Sequence, residues 1–298
     1  MKQGNWHKMC IFCLQNNSFL AMFEGVLIKM RTALEANGVH YYLKFPTDFL
    51  HLNNCINQQL TLSFKGYECL SCGSTAETFR QGFCRKCFFE QPQAGDWVMR
   101  PELSQAHLGI EDRDLAFEQK VQLQPHWVYL ALSSHLKVGV TRKAQIPTRW
   151  IDQGAHQAIP LLEVPNRYLA GVAEVALKAH FSDKTNWRKM LQNEAEAVDF
   201  EQAYTLAVDH LPAEVTDYIV PYQEPQNIGF PVQQYPQKVK SLNLVKSQQY
   251  QGVLKGIKGQ YLIFEDQTVF NIRSNEGLVV EFSVGGSSST EIPFDSAS

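Results

Sequence analysis

Four cysteines are spaced to bind a metal. Cys69-x2-Cys72 and Cys84-x2-Cys87 form two hooks separated by eleven residues. Each hook offers a close pair of thiolates, and two such pairs complete a tetrahedron around Zn2+. Gly73 follows the first hook and Gly82 precedes the second. Glycine tolerates the tight backbone turns that such knuckles need. Four sulfur ligands leave no open coordination position, so the expected cofactor is a structural Zn2+ held by Cys69, Cys72, Cys84 and Cys87. In small metallo-modules, binding of this kind is worth on the order of 10–16 kcal/mol. A further hook, Cys10-x2-Cys13, needs His51 or Cys55 to complete a second site. Ordinary thiols in apolar segments are the simpler reading there.

The composition narrows the function classes. A chain of 298 residues suits roughly two to four compact units. The formal net charge of −3 argues against a protein that coats nucleic acid non-specifically. Such binding rests on many Lys and Arg contacts to phosphate, although a local basic patch stays open. No apolar run approaches the roughly 18 residues of a membrane span, so no membrane partner is expected. Residues 1–20 lack the basic, apolar and small-residue layout of a secretory signal. Seven cysteines, partly in CxxC pairs, then point to metal binding in a reducing compartment, and the expected location is cytoplasmic.

The elements that must carry this chemistry read as an α+β chain. Residues 22–66 are expected to form a small β domain, with strands over 26–30, 39–45 and 60–64 and an Asn37-Gly38 turn. Residues 67–92 form the four-cysteine zinc-binding module. A polar connector with one short helix covers 90–125. Residues 126–212 form the central domain, with strands over 127–132 and 136–141 and a helix over 147–153 with Pro147 in its first turn. Leu169, Val172, Ala173, Ala176 and Leu177 predict an amphipathic helix over 167–181. Further helices are expected over 187–198 and 201–211, with Asp199 and Pro212 at boundaries. After a linker rich in Pro, Gln and Tyr, residues 236–284 read as a C-terminal β domain, with strands over 251–254, 260–264, 269–272 and 278–284. Residues 285–298 read as a disordered tail. A faint repeat relates Phe23-Glu24-Gly25-Val26-Leu27 to Tyr250-Gln251-Gly252-Val253-Leu254, and Asn57-x2-Leu60-x3-Phe64 to Asn275-x2-Leu278-x3-Phe282. Two related small β-barrels flanking the centre would explain it, as would chance similarity between short strand–turn patterns.

The centre carries a resemblance. Val128-Tyr129-Leu130, Lys137-Val138-Gly139-Val140-Thr141, Arg149-Trp150 and Ala173-Glu174-x2-Leu177 together resemble the GIY-YIG nuclease superfamily. Residues 22–212 also look like a bacterial family of unknown function that places a CxxC…CxxC knot before a VYLA…KVGxTR…RWxDQGA pattern. Trp150-Ile151-Asp152-Gln153-Gly154-Ala155 and Asp183-Lys184-Thr185-Asn186-Trp187-Arg188 carry that likeness. The superfamily resemblance implies a first-strand role for Tyr129, a phosphate role for Arg149 on the next helix, and a Mg2+ or Mn2+ role for Glu174. Departures accompany it. Trp127 stands where the superfamily has the first-strand Gly, Lys137 where it has the second-strand Tyr, and two extra residues lie between Gly139 and Arg149. Further cysteines expected before VYLA are absent from 94–124, leaving His107 and His126 as the soft ligands there.

The chemistry can be stated beside the likeness. Phosphodiester cleavage needs an activated water, neutralised phosphoryl charge and a metal at the leaving oxygen. The arginine fork donates to two phosphate oxygens at once, and Mg2+ keeps waters and needs few carboxylates. Lys137 can bind phosphate, and it stays protonated at neutral pH unless desolvated. Three functions follow as expectations. The first is a metal-dependent nuclease using Tyr129, Lys137, Arg149 and Glu174. The second is a DNA- or RNA-binding module of the same fold that does not cut. The third is a zinc-stabilised scaffold for a protein partner. Arg142 and Lys143 are further candidates for phosphate contact, and Gly139 reads as a position where the backbone needs room.

Overall fold

The computed structural model describes residues 21–181 and 186–285. The chain is an α+β protein whose N-terminal part forms β1 (Ala21–Val26), β2 (Arg31–Glu35), β3 (Gly38–Lys44), β4 (Phe49–His51) and β5 (Gln59–Tyr67). Next come α1 (Arg85–Glu90) and α2 (Leu115–Gln122). The central part holds β6 (His126–Leu132), β7 (Leu136–Arg142), α3 (Thr148–Asp152), β8 (Gln157–Val164), α4 (Arg167–Leu177), α5 (Trp187–Leu191) and α6 (Phe200–Asp209). The remainder is β9 (Gln226–Asn227), β10 (Lys240–Ser241), α7 (Leu244–Ser247), β11 (Gln249–Lys258), β12 (Tyr261–Phe264), β13 (Thr268–Asn271) and β14 (Leu278–Val284). Cys10, Cys13, Asp183, Lys184, Thr185 and the expected tail from 286 onward lie outside the described residues.

Strand pairing decides which side chains can meet in the centre. β6 and β7 form an antiparallel pair that sets Trp127 opposite Thr141, Tyr129 opposite Gly139 and Ala131 opposite Lys137. Side chains alternate along a strand, so these six share one face. Val128, Leu130, Val138 and Val140 share the other, and α4 covers it with Ala170, Ala173 and Leu177, all buried. Asn166 starts α4 by accepting a hydrogen bond from Leu169 N at 3.0 Å, which satisfies one orphan donor of the first turn. The helix ends at Leu177, short of the expected 181, and the one expected over 187–198 stops at Leu191.

The sequence reading missed β8, a central strand of the order β7-β6-β8-β9. Pro160 lies in its middle, and a proline inside an apolar run reads as a break because it cannot donate to a ladder. Here the pairing with β6 shifts register between Val128 and Tyr129, next to Pro160, and then continues. Pro147 sits at the cap position before α3 and not inside its first turn. Of the strand expected over 26–30, Val26 ends β1 and residues 27–30 are the gap before β2, and the Asn37-Gly38 turn joins β2 to β3. The connector holds α2 as expected, preceded by short 3-10 turns at Pro92–Ala94, Asp96–Val98, Pro101–Leu103 and Ala106–Leu108.

The expectation of separate β domains at 22–66 and 236–284 is corrected by a seven-stranded sheet of order β1-β14-β5-β11-β12-β13-β10. Its second and third strands, β14 and β5, set Val280 opposite Phe64 and Phe282 opposite Leu62. The repeat equates Phe64 with Phe282 and Leu62 with Val280, so this pairing maps onto itself when the two copies exchange. Each copy's first strand then pairs with the other copy's last: β1 with β14, and β11 with β5. An isolated unit would leave one side of its last strand open, and sheet edges left open invite foreign pairing. Exchange covers both sides of β5 and of β14. Leu60, Leu62, Leu254, Val280 and Phe282 consequently share one core, which also takes in Tyr129, Ala131, Trp150 and Ile151 from the centre.

Candidate functional site

The four cysteines converge. One sulfur from each of Cys69, Cys72, Cys84 and Cys87 lies within 4.8 Å of the others, an arrangement that could hold a metal ion. Cys72 and Cys84 sulfurs stand 3.9 Å apart, close to the edge of about 3.8 Å that a tetrahedron with Zn–S bonds of about 2.3 Å requires. The local fold explains the convergence. Gly73 and Gly82 adopt φ of +69° and +75°, so each hook turns through a conformation that a Cβ would strain. Leu70 N donates to Gly82 O at 2.9 Å, zipping the two hooks together. Burial opposes ionisation of Cys69, but backbone N–H donors of Cys72, Cys84 and Ser71 outweigh it and bring the thiol down to about 6. For Cys87 in the same cluster, a lowering hydrogen bond to Ser71 is outweighed by its neighbours Cys72, Cys84 and Cys69, and the thiol is pushed up to about 12, so a metal must displace protons to hold all four as thiolates. The hairpin also abuts Gly277: a Cβ there would stand 2.6 Å from Thr78 and 2.9 Å from Gly82.

A second site is assembled from distant segments. A cleft of about 1020 Å3 is walled by Lys29, Lys120, Arg142, Arg149, Arg167 and Arg273, with Asp152 as its one carboxylate. The ion pairs of the described residues leave Arg142, Arg149, Arg167 and Arg273 out. Crowding is felt by the groups themselves. Burial first, and then the charges of Arg149 and Arg142, pull the Arg167 guanidinium down to about 10, against the opposing pull of Glu174. Burial, and then Arg149, lower Lys137 to about 8. His126, beneath the cluster, is held at about 4 by burial, with Arg167 and Arg142 adding to the effect against a hydrogen bond to Gln124 O. Like charges gathered in a partly desolvated place destabilise one another, and an anion relieves them.

Two contacts hold the walls. Arg167 donates from Nε to Trp97 O at 3.0 Å and from Nη2 to Val98 O at 2.7 Å, tying α4 to the connector. Asp152 joins three segments. Its Oδ2 pairs with Lys29 Nζ, and its Oδ1 accepts from Gln260 Nε2 at 2.8 Å. Gln260 Oε1 in turn accepts from Met30 N at 2.8 Å.

The residues singled out from the sequence are partly brought together. Tyr129 and Lys137 share a sheet face with Arg149 near both, since its charge lowers each of their pKa values. Tyr129 is fully buried, and burial drives its phenol up. Its ring lies across Gly139, where a Cβ would stand 2.5 Å from the hydroxyl. That is the room the backbone needed. The Tyr129 hydroxyl and Gln153 Oε1 are both buried without a well-formed hydrogen bond, although Gln153 and Arg149 lie close enough to the hydroxyl to oppose the upward pull of burial. Glu174 lies on α4, which packs the opposite face, and its charge still reaches Tyr129 and Arg167. Its carboxylate pairs with Lys178 at 3.5 Å, and burial raises its pKa. Neither Tyr129 nor Glu174 lines the cleft. Of the adjacent cations, Arg142 lines it, whereas Lys143 pairs with Glu163 at 2.8 Å over Trp127. Among the suggested soft ligands, His107 stacks on Tyr168 and His126 is fully buried. Cys55 is buried in the main core.

Sequence reasoning missed Lys29, Lys120, Arg167 and Arg273. Each is a lone cation in its own segment, and no local spacing links residues 29, 120, 167 and 273. The one available signal was Arg167 at the start of an otherwise apolar helix, directly after its cap.

A family model described as "Protein of unknown function (DUF2797)" matches residues 57–280. No curated protein and no solved structure matches the chain. Among the described residues, no helix is long and apolar enough to cross a membrane.

Proposed function

The chain belongs to the DUF2797 family of unknown function, and from that premise we propose that it binds nucleic acid, with the phosphate backbone seated in the cationic cleft. One observation carries this reading. A protein of net charge −3 gathers Lys29, Lys120, Arg142, Arg149, Arg167 and Arg273 around one cleft, and among the described residues the four arginines make no ion pair with a carboxylate. A polyanion supplies what such a place lacks. Arg149 and Arg142 present forks to adjacent phosphoryl oxygens. Zn2+ is the metal proposed for the cysteines, because four thiolates at tetrahedral spacing favour it and leave no open position.

A second reading, phosphodiester hydrolysis in a GIY-YIG-like centre, is favoured by Lys137. Burial, and then the charge of Arg149, lower its pKa to about 8, so it gives up its proton more readily than an ordinary lysine and can act as the base. Arg149 would bind the phosphoryl oxygens, and Tyr129 would orient the lysine and the water. Glu174, with Glu102 close enough to raise its pKa, would hold Mg2+ or Mn2+, which supplies charge neutralisation at the leaving oxygen.

The test is a gel shift and a cleavage assay on DNA and RNA, single- and double-stranded, with and without Mg2+ or Mn2+. Binding that weakens with salt and with Arg149→Ala is the expected result. Products that require divalent metal and Glu174 would establish the hydrolytic reading. Binding without product leaves a clamp. No binding at low salt would remove the nucleic-acid reading and favour a protein scaffold.

A further inference from the structure

A second cleft, of about 830 Å3, adjoins the first. Gln93, Asp152 and Arg273 line both, so the two lie side by side and share a wall. Their chemistry differs. Where the first is cationic, the second is walled by aromatic rings from three segments. Phe79 and Phe83 come from the cysteine hairpin, Trp187 from α5 and Tyr261 from β12. Trp187 and Tyr261 lie parallel, with centroids 5.7 Å apart and planes 6° apart. Arg188 covers the Trp187 ring at 4.3 Å. Phe79 is 41 % exposed, a large apolar ring left at the surface, with Arg80 and Arg85 at 5.3 and 5.6 Å from its centroid.

Each half on its own has an ordinary explanation. A cationic cleft attracts any polyanion, and an exposed phenylalanine on a small metal hairpin has little core to enter. Their adjacency selects among polyanions. A duplex keeps its base faces stacked inside and offers only phosphates to a groove. A single strand offers phosphates and free base faces together, and proteins that bind it combine a cationic track with aromatic platforms.

We propose that the two clefts form one groove for an extended single strand, with phosphates at the Arg142–Arg149 end and unstacked bases against Phe79 and Tyr261 beside the cysteine hairpin. This rests on the nucleic-acid reading above and names the substrate class for it. The cysteine hairpin thereby becomes a wall of the binding site as well as a metal knot. A strand that reaches only the Arg149 end gains phosphate contacts alone, so affinity rises with length until both ends are engaged.

Fluorescence anisotropy on the full, metal-loaded chain at low salt tests it. The probes are a labelled oligothymidine, a labelled oligouridine and a blunt duplex of equal length, with Phe79→Leu, Phe79→Trp and Arg149→Ala beside the wild type. Phe79→Leu keeps an apolar side chain and removes the ring face. The expected result is single-strand binding at least about tenfold tighter than duplex binding, weakened about fivefold or more by Phe79→Leu and retained by Phe79→Trp. Thermal melting and bound-metal content of Phe79→Leu equal to wild type would tie the loss to stacking. A Phe79→Leu chain that has lost its metal is replaced in the comparison by Tyr261→Leu, on the opposite wall. Duplex binding as tight as single-strand binding, with Arg149→Ala still weakening it, would overturn the groove and leave the phosphate cleft standing. Absence of binding to every probe would overturn both.

Discussion

The cysteine hairpin and the cationic cleft solve the same problem, gathering like charge in one place, by opposite means. In the hairpin, four groups able to ionise lie within nineteen residues, from Cys69 to Cys87. Two glycine turns and the Leu70–Gly82 hydrogen bond bring them together. In the cleft, Lys29, Lys120, Arg142, Arg149, Arg167 and Arg273 arrive from separate segments, and only the finished fold makes them neighbours. A locally built site depends on its ion more than on the rest of the protein. A site built from afar depends on the junctions that hold the segments in place, and its crowded charges work against those junctions.

The largest effect that would break this contrast is metal removal. A strong chelator, or Cys72→Ser with Cys84→Ser, is expected to cost a large part of the order of 10 kcal/mol that such metal sites contribute. Elemental analysis should find one metal per chain before treatment and none after. If the hairpin is self-contained, hydrogen exchange after chelation should rise first over residues 67–92 and at the Gly277 turn packed on it. Unchanged melting of the metal-free protein would mean that the hairpin is held by its packing and not by its ion.

Next in size is the junction at Asp152. Its carboxylate side chain is only 3 % exposed and bonds Lys29 and Gln260. Removing one member of such a pair leaves a charge uncompensated and costs about 3–5 kcal/mol. Asp152→Ala should therefore lower stability by about 3 kcal/mol in urea unfolding, with Asp152→Asn intermediate. A neutral Asp152→Ala would mean that the cleft does not depend on this junction, and the contrast with the hairpin would fail on that side.

What the sequence disclosed follows the same division. Cys69, Cys72, Cys84 and Cys87 were legible because two hooks at fixed spacing carry their own geometry. Tyr129 and Lys137 were singled out by a resemblance and Gly139 as a place where the backbone needs room; that they share one face is fixed by the pairing of β6 with β7. β8 was not legible, since Pro160 masks a strand whose place is fixed by β6 beside it. The exchange of β1 and β11 between the two β units was hidden for a related reason. The Leu60/Leu278 and Phe64/Phe282 repeat gives two similar units, but only the open sides of β5 and β14 decide that each pairs with the other copy. Arg273 carried no signal and Arg167 only its place directly after a helix cap, because a lone arginine reads as a solvated surface residue until its neighbours are known.

A smaller effect concerns His126, beneath the cationic cluster. Its folded-state pKa is about 4, below the ordinary value of about 6.5. Between those values the unfolded chain binds a proton that the folded chain refuses, so stability is present above pH 6.5 and falls as pH drops toward 4. The loss is on the order of 2–3 kcal/mol. His126→Gln should flatten the profile of stability against pH over that window. An unaltered slope would assign the acid sensitivity to other groups, His156 among them, which burial also lowers to about 4.

The smallest effect is the most telling, because its two readouts have opposite signs. If the arginines of the cleft are gathered for an anion, they strain the protein that holds them, and removing one relieves the strain. Arg149 makes no ion pair among the described residues, and its charge lowers the pKa of both Lys137 and Arg167. Arg149→Met keeps much of the side chain's length and deletes the charge. We expect it to stabilise the free protein by about 0.5–1 kcal/mol, a rise in Tm of about 1–3 °C for a chain of this size. The same variant should weaken oligonucleotide binding and lower the slope of log affinity against log salt by about one. Stability and binding would then trade against each other at one residue, as expected where a charge is kept for a ligand and not for the fold. A variant that loses stability instead would make Arg149 a structural partner of Tyr129 and Gln153, and the cleft would lose its central phosphate contact.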